Sequence, residues 1–128
     1  MVSETRKRSP DPSVVGWLSG AERGELFVSV LTLGELTKGI AKKRRHDAVA
    51  ADALAHWLRG IESLYSDRVL PVDHPVAAAW GEMAAGQTLP VIDSLIAATA
   101  KVHGLTVVSR NVADFERTGV PIFNPWEI

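Results

Sequence analysis

The stretch IDSLIAATAKVHGLTVVS, residues 92–109, places a helix directly before a strand. We predict the helix over residues 92–103, because Gly104 stands where a left-handed glycine commonly ends a helix. Residues 105–109 form the clearest predicted strand of the chain. A helix that leads directly into a strand is typical of an α/β fold, in which helices cover a parallel sheet.

The rest of the chain continues this alternation. A strand over residues 69–72 contains Pro71, which indicates an edge position because proline has no N–H to donate to a neighbouring strand. The other predicted elements are a short helix from Asp11 to Gly20, a strand over 26–30, a helix carrying Leu33, Leu36 and Ile40, an amphipathic helix over 47–61, a helix from Asp73 to near Gly86, a turn or helix through Asp114 and Phe115, and a strand over 121–123.

Composition indicates one ordinary globular domain that spans residues 1–128. The chain is 46% apolar and 23% charged, and it contains no cysteine, which excludes disulfides and thiolate metal ligands. A net charge of -1 gives no overall attraction to nucleic acid. No apolar run is long enough to span a membrane and the segment 1–12 is polar, so we expect a cytoplasmic protein without a signal peptide.

Three acidic residues fall at junctions between strands and helices. Glu35 follows the strand over 26–30, Asp114 follows the strand over 105–109, and Asp93 begins the helix that feeds that second strand. Such junctions meet at one edge of a parallel sheet, where ligands bind in open α/β folds. Carboxylate oxygens suit Mg²⁺ or Mn²⁺, so the three residues are candidate ligands for a divalent metal.

Each acid also has a purely structural interpretation. Thr32 and Glu35 match the S/T-x-x-E capping box, Asp93 suits the first turn of a helix, and Asp114 suits the cap of a turn. Asp73, at the end of the predicted edge strand, is an acid of the same kind that reads as a plain helix cap. The occurrence of all three acids at one predicted edge is what favours a site.

The chain lacks the motifs of other chemistries. It contains no G-x-S-x-G, G-x-G-x-x-G, Walker or H-E-x-x-H sequence, which disfavours hydrolase triads, nucleotide loops and zinc sites. The four histidines do not have the spacing of metal ligands, so we interpret them as surface or boundary residues: His46, His56, His74 and His103. The first three tryptophans occupy apolar helix positions, so we interpret them as core residues: Trp17, Trp57 and Trp80. Trp126 is placed to pack the last strand or a partner.

Several motifs of the chain resemble those of PIN-domain toxins of the VapC/FitB type. The resemblance runs over essentially the whole chain and implies a three-layer fold, with a parallel sheet flanked by helices. It also implies a metal-dependent ribonuclease, usually a homodimer, that a cognate antitoxin holds inactive. The segments that carry the resemblance are TLGEL (32–36), LPVIDSLIAATA (89–100), SRNVADF (109–115), TGV (118–120) and NPW (124–126).

The resemblance assigns roles to individual residues. Asp93 is the main expected ligand of Mg²⁺ or Mn²⁺, with Glu35 and Asp114 holding the ion directly or through water. Ser109 stands where the family commonly has Thr or Ser and would orient a water or a phosphate oxygen, with Asn111 as a polar neighbour. Basic residues near the first of these motifs are expected to bind the RNA backbone together with Arg110: Lys38, Lys42, Lys43, Arg44 and Arg45. The alternative for the basic cluster is a solvated helix end that complements the helix dipole.

One element of the family pattern is missing. Family members open with a short apolar strand that ends in Asp-Thr-Asn, forms the centre of the sheet and supplies a further acid, whereas this sequence begins at Met1-Val2-Ser3. We therefore expect an N-terminally truncated PIN-like domain with reduced metal affinity. Three functions remain open: a ribonuclease toxin, an inactive fragment that only binds its antitoxin or a sister toxin, and a structural module whose acids are caps. For a homodimer, the helix faces bearing Trp57 and Trp80 are the expected contact.

Overall fold

A computed structural model describes residues 26–109 and 111–124. The predicted helix from Asp11 to Gly20, with Trp17, and also Arg110 and Trp126, lie outside the described residues. In chain order the described elements are β1 (Val28–Ser29), α1 (Val30–Arg44), α2 (Ala48–Leu64), β2 (Val69–Leu70), α3 (His74–Ala84), α4 (Val91–His103), β3 (Val107–Val108), α5 (Val112–Phe115), a 3-10 turn (Glu116–Thr118) and β4 (Ile122–Phe123).

The predicted α/β fold with parallel strands is confirmed. Strand β1 pairs in parallel with β2, with Val28 opposite Val69, and β3 pairs in parallel with β4, with Val107 opposite Ile122. Within the described residues the strands form two separate two-stranded sheets, not one continuous sheet. Helices α1 and α2 pack together beside the first sheet, and α3 and α4 pack together beside the second.

Each strand is shorter than its apolar run predicts, and β1 shows why. The Ser29 side chain accepts a hydrogen bond from the Leu31 N–H at 3.1 Å, which makes Ser29 the N-cap of α1. The helix therefore begins at Val30, two residues before Thr32, and it ends the strand that we predict over 26–30. A cap satisfied by one serine outweighs the β preference of the valine that follows it.

The other predicted helix boundaries are confirmed within a few residues. Asp47 caps α2 by accepting from the Ala50 N–H at 3.0 Å, and Asp73 caps α3 by accepting from the Val76 N–H at 3.1 Å. Gly104 ends α4 with φ 66°, a left-handed conformation in which a side chain would be strained. Asp73 is thus the plain cap that the sequence predicts.

The buried side chains form two clusters, one beside each sheet. The larger joins α4, β3 and the C-terminal turn, and the smaller joins β1 to the end of α2, where Trp57 packs. Their buried members are Ala97, Ala100, Val107, Phe115 and Val120 in the larger cluster, and Val28 and Tyr65 in the smaller. No helix among the described residues is long and apolar enough to cross a membrane.

Candidate active site

A groove of about 1280 Å³ lies between the two strand pairs. Its walls include β1 and Leu70 on one side and β3 and β4 on the other. Glu35, Asp93 and Ser109 all line it. The fold therefore brings two of the three predicted acids, and the predicted serine, to one shared space.

Asp93 lies at the third position of α4, half-buried at the groove. The N-cap residue of this helix is Pro90, and it offers no side-chain hydrogen bond to the first turn. The first turn is closed instead by backbone, with the Ser94 N–H donating to the Pro90 carbonyl oxygen at 2.9 Å. A first-turn carboxylate is favoured by the helix dipole, so the structural interpretation of Asp93 and a ligand role are compatible.

Asp114 lies close enough to Asp93 for the two carboxyl groups to share a hydrogen bond. Partial burial raises the pKa of Asp93, and the charges of Asp114 and Glu35 and the hydrogen bond with Asp114 raise it further. Two carboxyl groups share a hydrogen bond only when one of them carries a proton. The three acids therefore form one electrostatic cluster centred on Asp93.

Glu35 lies in the second turn of α1 and is exposed. Because Ser29 is the N-cap of this helix, Thr32 is not, and the capping-box interpretation of Thr32 and Glu35 is wrong. Asp114 is the third residue of α5, whose N-cap residue is Asn111. The capping role considered for Glu35 therefore does not account for its position at the groove.

Ser109 organises the loop that leads to Asp114. Its Oγ accepts a hydrogen bond from the Asn111 N–H at 3.0 Å, and the Asp114 N–H donates to the Asn111 carbonyl oxygen at 3.1 Å. These two bonds connect Ser109, after the end of β3, with Asn111 and Asp114. The hydroxyl of Ser109 acts as an acceptor in the bond with the Asn111 N–H, so its own O–H can still donate.

The donor set suits a hard cation with few protein ligands. No group of three or more Asp, Glu or His side chains in the described part of the chain is close enough to hold one ion together. Mg²⁺ needs no such cage, because it retains several waters and binds through one or two carboxylates plus substrate phosphates. The paired Asp93 and Asp114, with Glu35 near enough to raise the Asp93 pKa, fit that mode.

The basic residues at the C-terminal end of α1 do not all face the same way. At 100° per residue, Lys38, Lys42 and Arg45 lie on the same side of the helix as Glu35 and continue away from the groove. Arg44 lies on the opposite side and pairs with Asp52 of α2 at 2.6 Å. All the predicted basic residues within the described segments, including Lys43, are exposed.

Two residues beside the site are not identified by the sequence analysis. Trp80 of α3 donates a hydrogen bond from Nε1 to the Oγ of Ser94 at 2.9 Å. Ser94 is 1% exposed and directly follows Asp93. The sequence does contain one indication that Ser94 is buried. Ser94 is spaced from Ala97 and Ala98 so that its hydroxyl lies on the buried face of α4.

Comparisons with known proteins match the whole chain to one family. The PIN domain family matches residues 4–121. The toxin FitB of Neisseria gonorrhoeae is 33% identical over 138 residues, covering 98% of this chain and 94% of FitB. The VapC ribonuclease Y4jK of Sinorhizobium fredii is 32% identical over 137 residues, covering 99% and 94%. The plasmid stability protein StbB of Pseudomonas syringae is 32% identical over 135 residues, also covering 99% and 94%.

Solved structures agree with these sequence matches. The crystal structure of FitAcB from Neisseria gonorrhoeae superposes with a TM-score of 0.91 at 33% identity, covering 99% of this chain and 94% of that one. The structure of FitAB bound to an IR36 DNA fragment superposes with a TM-score of 0.89 at 31% identity, covering 99% and 92%.

Proposed function

The chain belongs to the PIN-domain family, and from this premise we propose that it is the ribonuclease toxin of a type II toxin-antitoxin system. The relatives described as toxins and as VapC ribonucleases support the proposal. The observation that carries it to this chain is the cluster of Asp93, Asp114 and Glu35, in which burial and then the charges of the other two acids raise the pKa of Asp93 at the groove. Carboxylates held this close repel one another, and a bound divalent cation would relieve that repulsion.

The proposed reaction is hydrolysis of an RNA phosphodiester bond with Mg²⁺ or Mn²⁺. Asp93 and Asp114 would hold the ion directly, and Glu35 would hold it directly or through water. When bound, the ion activates water as the nucleophile and offsets the charge that develops on the phosphate. Ser109, which lines the groove, would orient a water or a phosphate oxygen, and Asn111 would add a polar neighbour.

We place the RNA backbone along the exposed side of α1. Lys38, Lys42 and Arg45 form a stripe that begins one turn from Glu35. An RNA strand that extends from the acidic cluster along α1 would therefore contact the three residues one after another. Replacing the three with alanine should lower the slope of log binding constant against log salt by about 2, since each single-strand phosphate contact contributes about 0.7. Arg59→Ala on α2 is the matched control and should leave the slope unchanged.

The partners follow from the same relatives. Because FitB is a toxin and the FitAB and FitAcB structures superpose on this chain, we propose a cognate antitoxin as its partner, a homodimer as its assembly and the cytoplasm as its location. Trp57 packs beside the smaller cluster and Trp80 bonds to Ser94, so both rings are at least partly engaged inside the protomer. Both residues are only half-buried, so the helix faces that bear them remain the predicted dimer contact.

A second candidate function is binding of the antitoxin without cleavage. It is favoured by one observation, that no three acidic or histidine side chains in the described segments form a ready metal cage. The two functions differ in a single assay, because both retain antitoxin binding and only the ribonuclease cuts RNA.

The deciding experiment is cleavage of a fluorescent RNA by the purified chain. We expect cleavage with Mg²⁺, loss of cleavage with a chelator, and recovery when Mg²⁺ is restored in excess. Asp93→Asn should be inactive, whereas Asp73→Asn, the same change at a helix cap, should cleave normally because asparagine also caps helices. Intact RNA with every variant, together with antitoxin binding, would establish the second function.

A further inference from the structure

A chain of hydrogen bonds ties the start of α4 to α3. The Trp80 Nε1–H donates to the Ser94 Oγ at 2.9 Å, and the Ser94 O–H donates to the Val91 carbonyl oxygen at 2.9 Å. The serine hydroxyl thus acts as acceptor and donor at once, and it is 1% exposed. Because water does not reach this hydroxyl, the two bonds have no solvent replacement.

This chain of bonds lies where α4 lacks an ordinary cap. Pro90 supplies no side-chain acceptor to the first turn, whereas the Trp80 Nε1–H reaches that turn from α3. The bonded residues, Val91 and Ser94, enclose Asp93 within the same turn. The direction of the Asp93 carboxyl therefore depends on how firmly that turn is held against α3.

Resting on the proposed function, we propose that Trp80 and Ser94 are positioning residues for the metal site. They hold the first turn of α4 against α3 and so keep the Asp93 carboxyl beside Asp114 at the groove. Neither residue touches the substrate or the ion. Groups that orient a metal ligand typically affect metal affinity 10-fold to 100-fold when they are removed, although they bind no metal themselves.

The test measures Mn²⁺ binding to the metal-free protein by calorimetry. Trp80→Phe keeps an aromatic ring at this position but removes the Nε1–H donor together with the volume of the second ring, and we expect it to weaken Mn²⁺ binding about tenfold. The matched control is Thr99→Val, which removes another buried hydroxyl of α4, one that bonds only within its own helix to the Leu95 carbonyl oxygen. Thr99→Val should change the Mn²⁺ Kd by less than about twofold, although it also lowers stability.

A double variant separates positioning from general loosening. If the two side chains act through their shared bond, Trp80→Phe with Ser94→Ala should bind Mn²⁺ no more weakly than the weaker single variant. RNA cleavage by Trp80→Phe should recover at saturating Mn²⁺, because the change lowers affinity for the ion and leaves Asp93 in place. Circular dichroism establishes whether each variant is folded. If Trp80→Phe does not fold, the Mn²⁺ binding of Ser94→Ala alone provides the test.

The outcomes are distinct. Equal Mn²⁺ affinities for Trp80→Phe and Thr99→Val, additive losses in the double variant, or no Mn²⁺ binding by the wild type would each overturn the positioning role. Wild-type protein that binds Mn²⁺ but leaves RNA intact would instead overturn the ribonuclease function, while a tenfold loss in Trp80→Phe would still support the positioning role.

Discussion

Helices α1 and α4 each carry one acid to the groove, yet they are held very differently. Helix α4 has five buried residues, Ser94 and 97–100, whereas none of the residues of α1 is buried. The first turn of α4 is bonded to α3 through Trp80, while α1 begins at a single serine cap and packs along α2 and β1. The difference indicates that Asp93 is the fixed element of the site and Glu35 the adjustable one.

The glycines within α1 also indicate that this helix is held less firmly than α4. A methyl group added at Gly34 or Gly39 would meet nothing within 4 Å, so neither glycine is needed for close packing. Glycine in a helix interior costs about 0.8 to 1 kcal/mol relative to alanine. Helix α1 therefore has no fully buried residue and carries two glycines that weaken it, so Glu35 stands on the less firmly held of the two helices.

The largest expected effect compares the two acids directly. We expect Asp93→Asn to lower the rate of RNA cleavage by about 10³-fold, since it removes the central ligand of the cluster. Glu35→Gln should cost about 10-fold to 100-fold, because a mobile side chain is replaced in part by water. Single-turnover cleavage at saturating Mg²⁺ gives both numbers, and a larger loss for Glu35→Gln would reverse the assignment of fixed and adjustable elements.

A second, smaller effect concerns packing. Ala97 is 0% exposed, so Ala97→Leu adds volume to a filled core and should destabilise the protein by about 1 to 3 kcal/mol. Ala41 lies on the exposed surface of α1, and Ala41→Leu should change stability by no more than about 0.5 kcal/mol. Urea denaturation of the two variants measures the contrast. Similar midpoints would mean that α1 is as tightly packed as α4.

The same comparison shows how far the sequence could predict this fold. For α4, the apolar spacing and Gly104 set both ends to within one residue, because local rules and burial agree there. For β1, the apolar run 26–30 predicts a strand, but Ser29 starts a helix inside it. The existence of both elements was predictable, whereas the end of β1 depended on the hydroxyl of Ser29.

The candidate site divides in a similar way. The order of strands and helices was enough to predict that Glu35 and Asp93 would meet at one groove. The bond between Trp80 and Ser94 joins residues 14 positions apart on two helices, and no local pattern encodes that contact. The same holds for the pair of Arg44 and Asp52, which depends on how α1 crosses α2.

The smallest expected effect is the dependence of stability on pH. Since the pKa of Asp93 is raised in the folded protein, the folded state binds this proton more tightly than the unfolded state does. Stability of the metal-free protein is therefore lost as pH rises from the unfolded pKa, about 3.9, through the raised folded pKa. The Asp93→Asn variant does not lose this stability, so its melting temperature should rise relative to that of the wild type as the pH increases across the same interval. A constant difference at every pH would contradict the linkage.

The most direct test of the account is an NMR titration of the Asp93 carboxyl carbon in metal-free protein. If Asp93, Asp114 and Glu35 form one site, the Asp93 pKa should lie above that of an ordinary aspartate. Asp114→Asn should then bring this pKa down, because a neighbouring charge is removed, and Mg²⁺ should lower it in the wild type. An ordinary Asp93 pKa that responds neither to Asp114→Asn nor to Mg²⁺ would contradict the account.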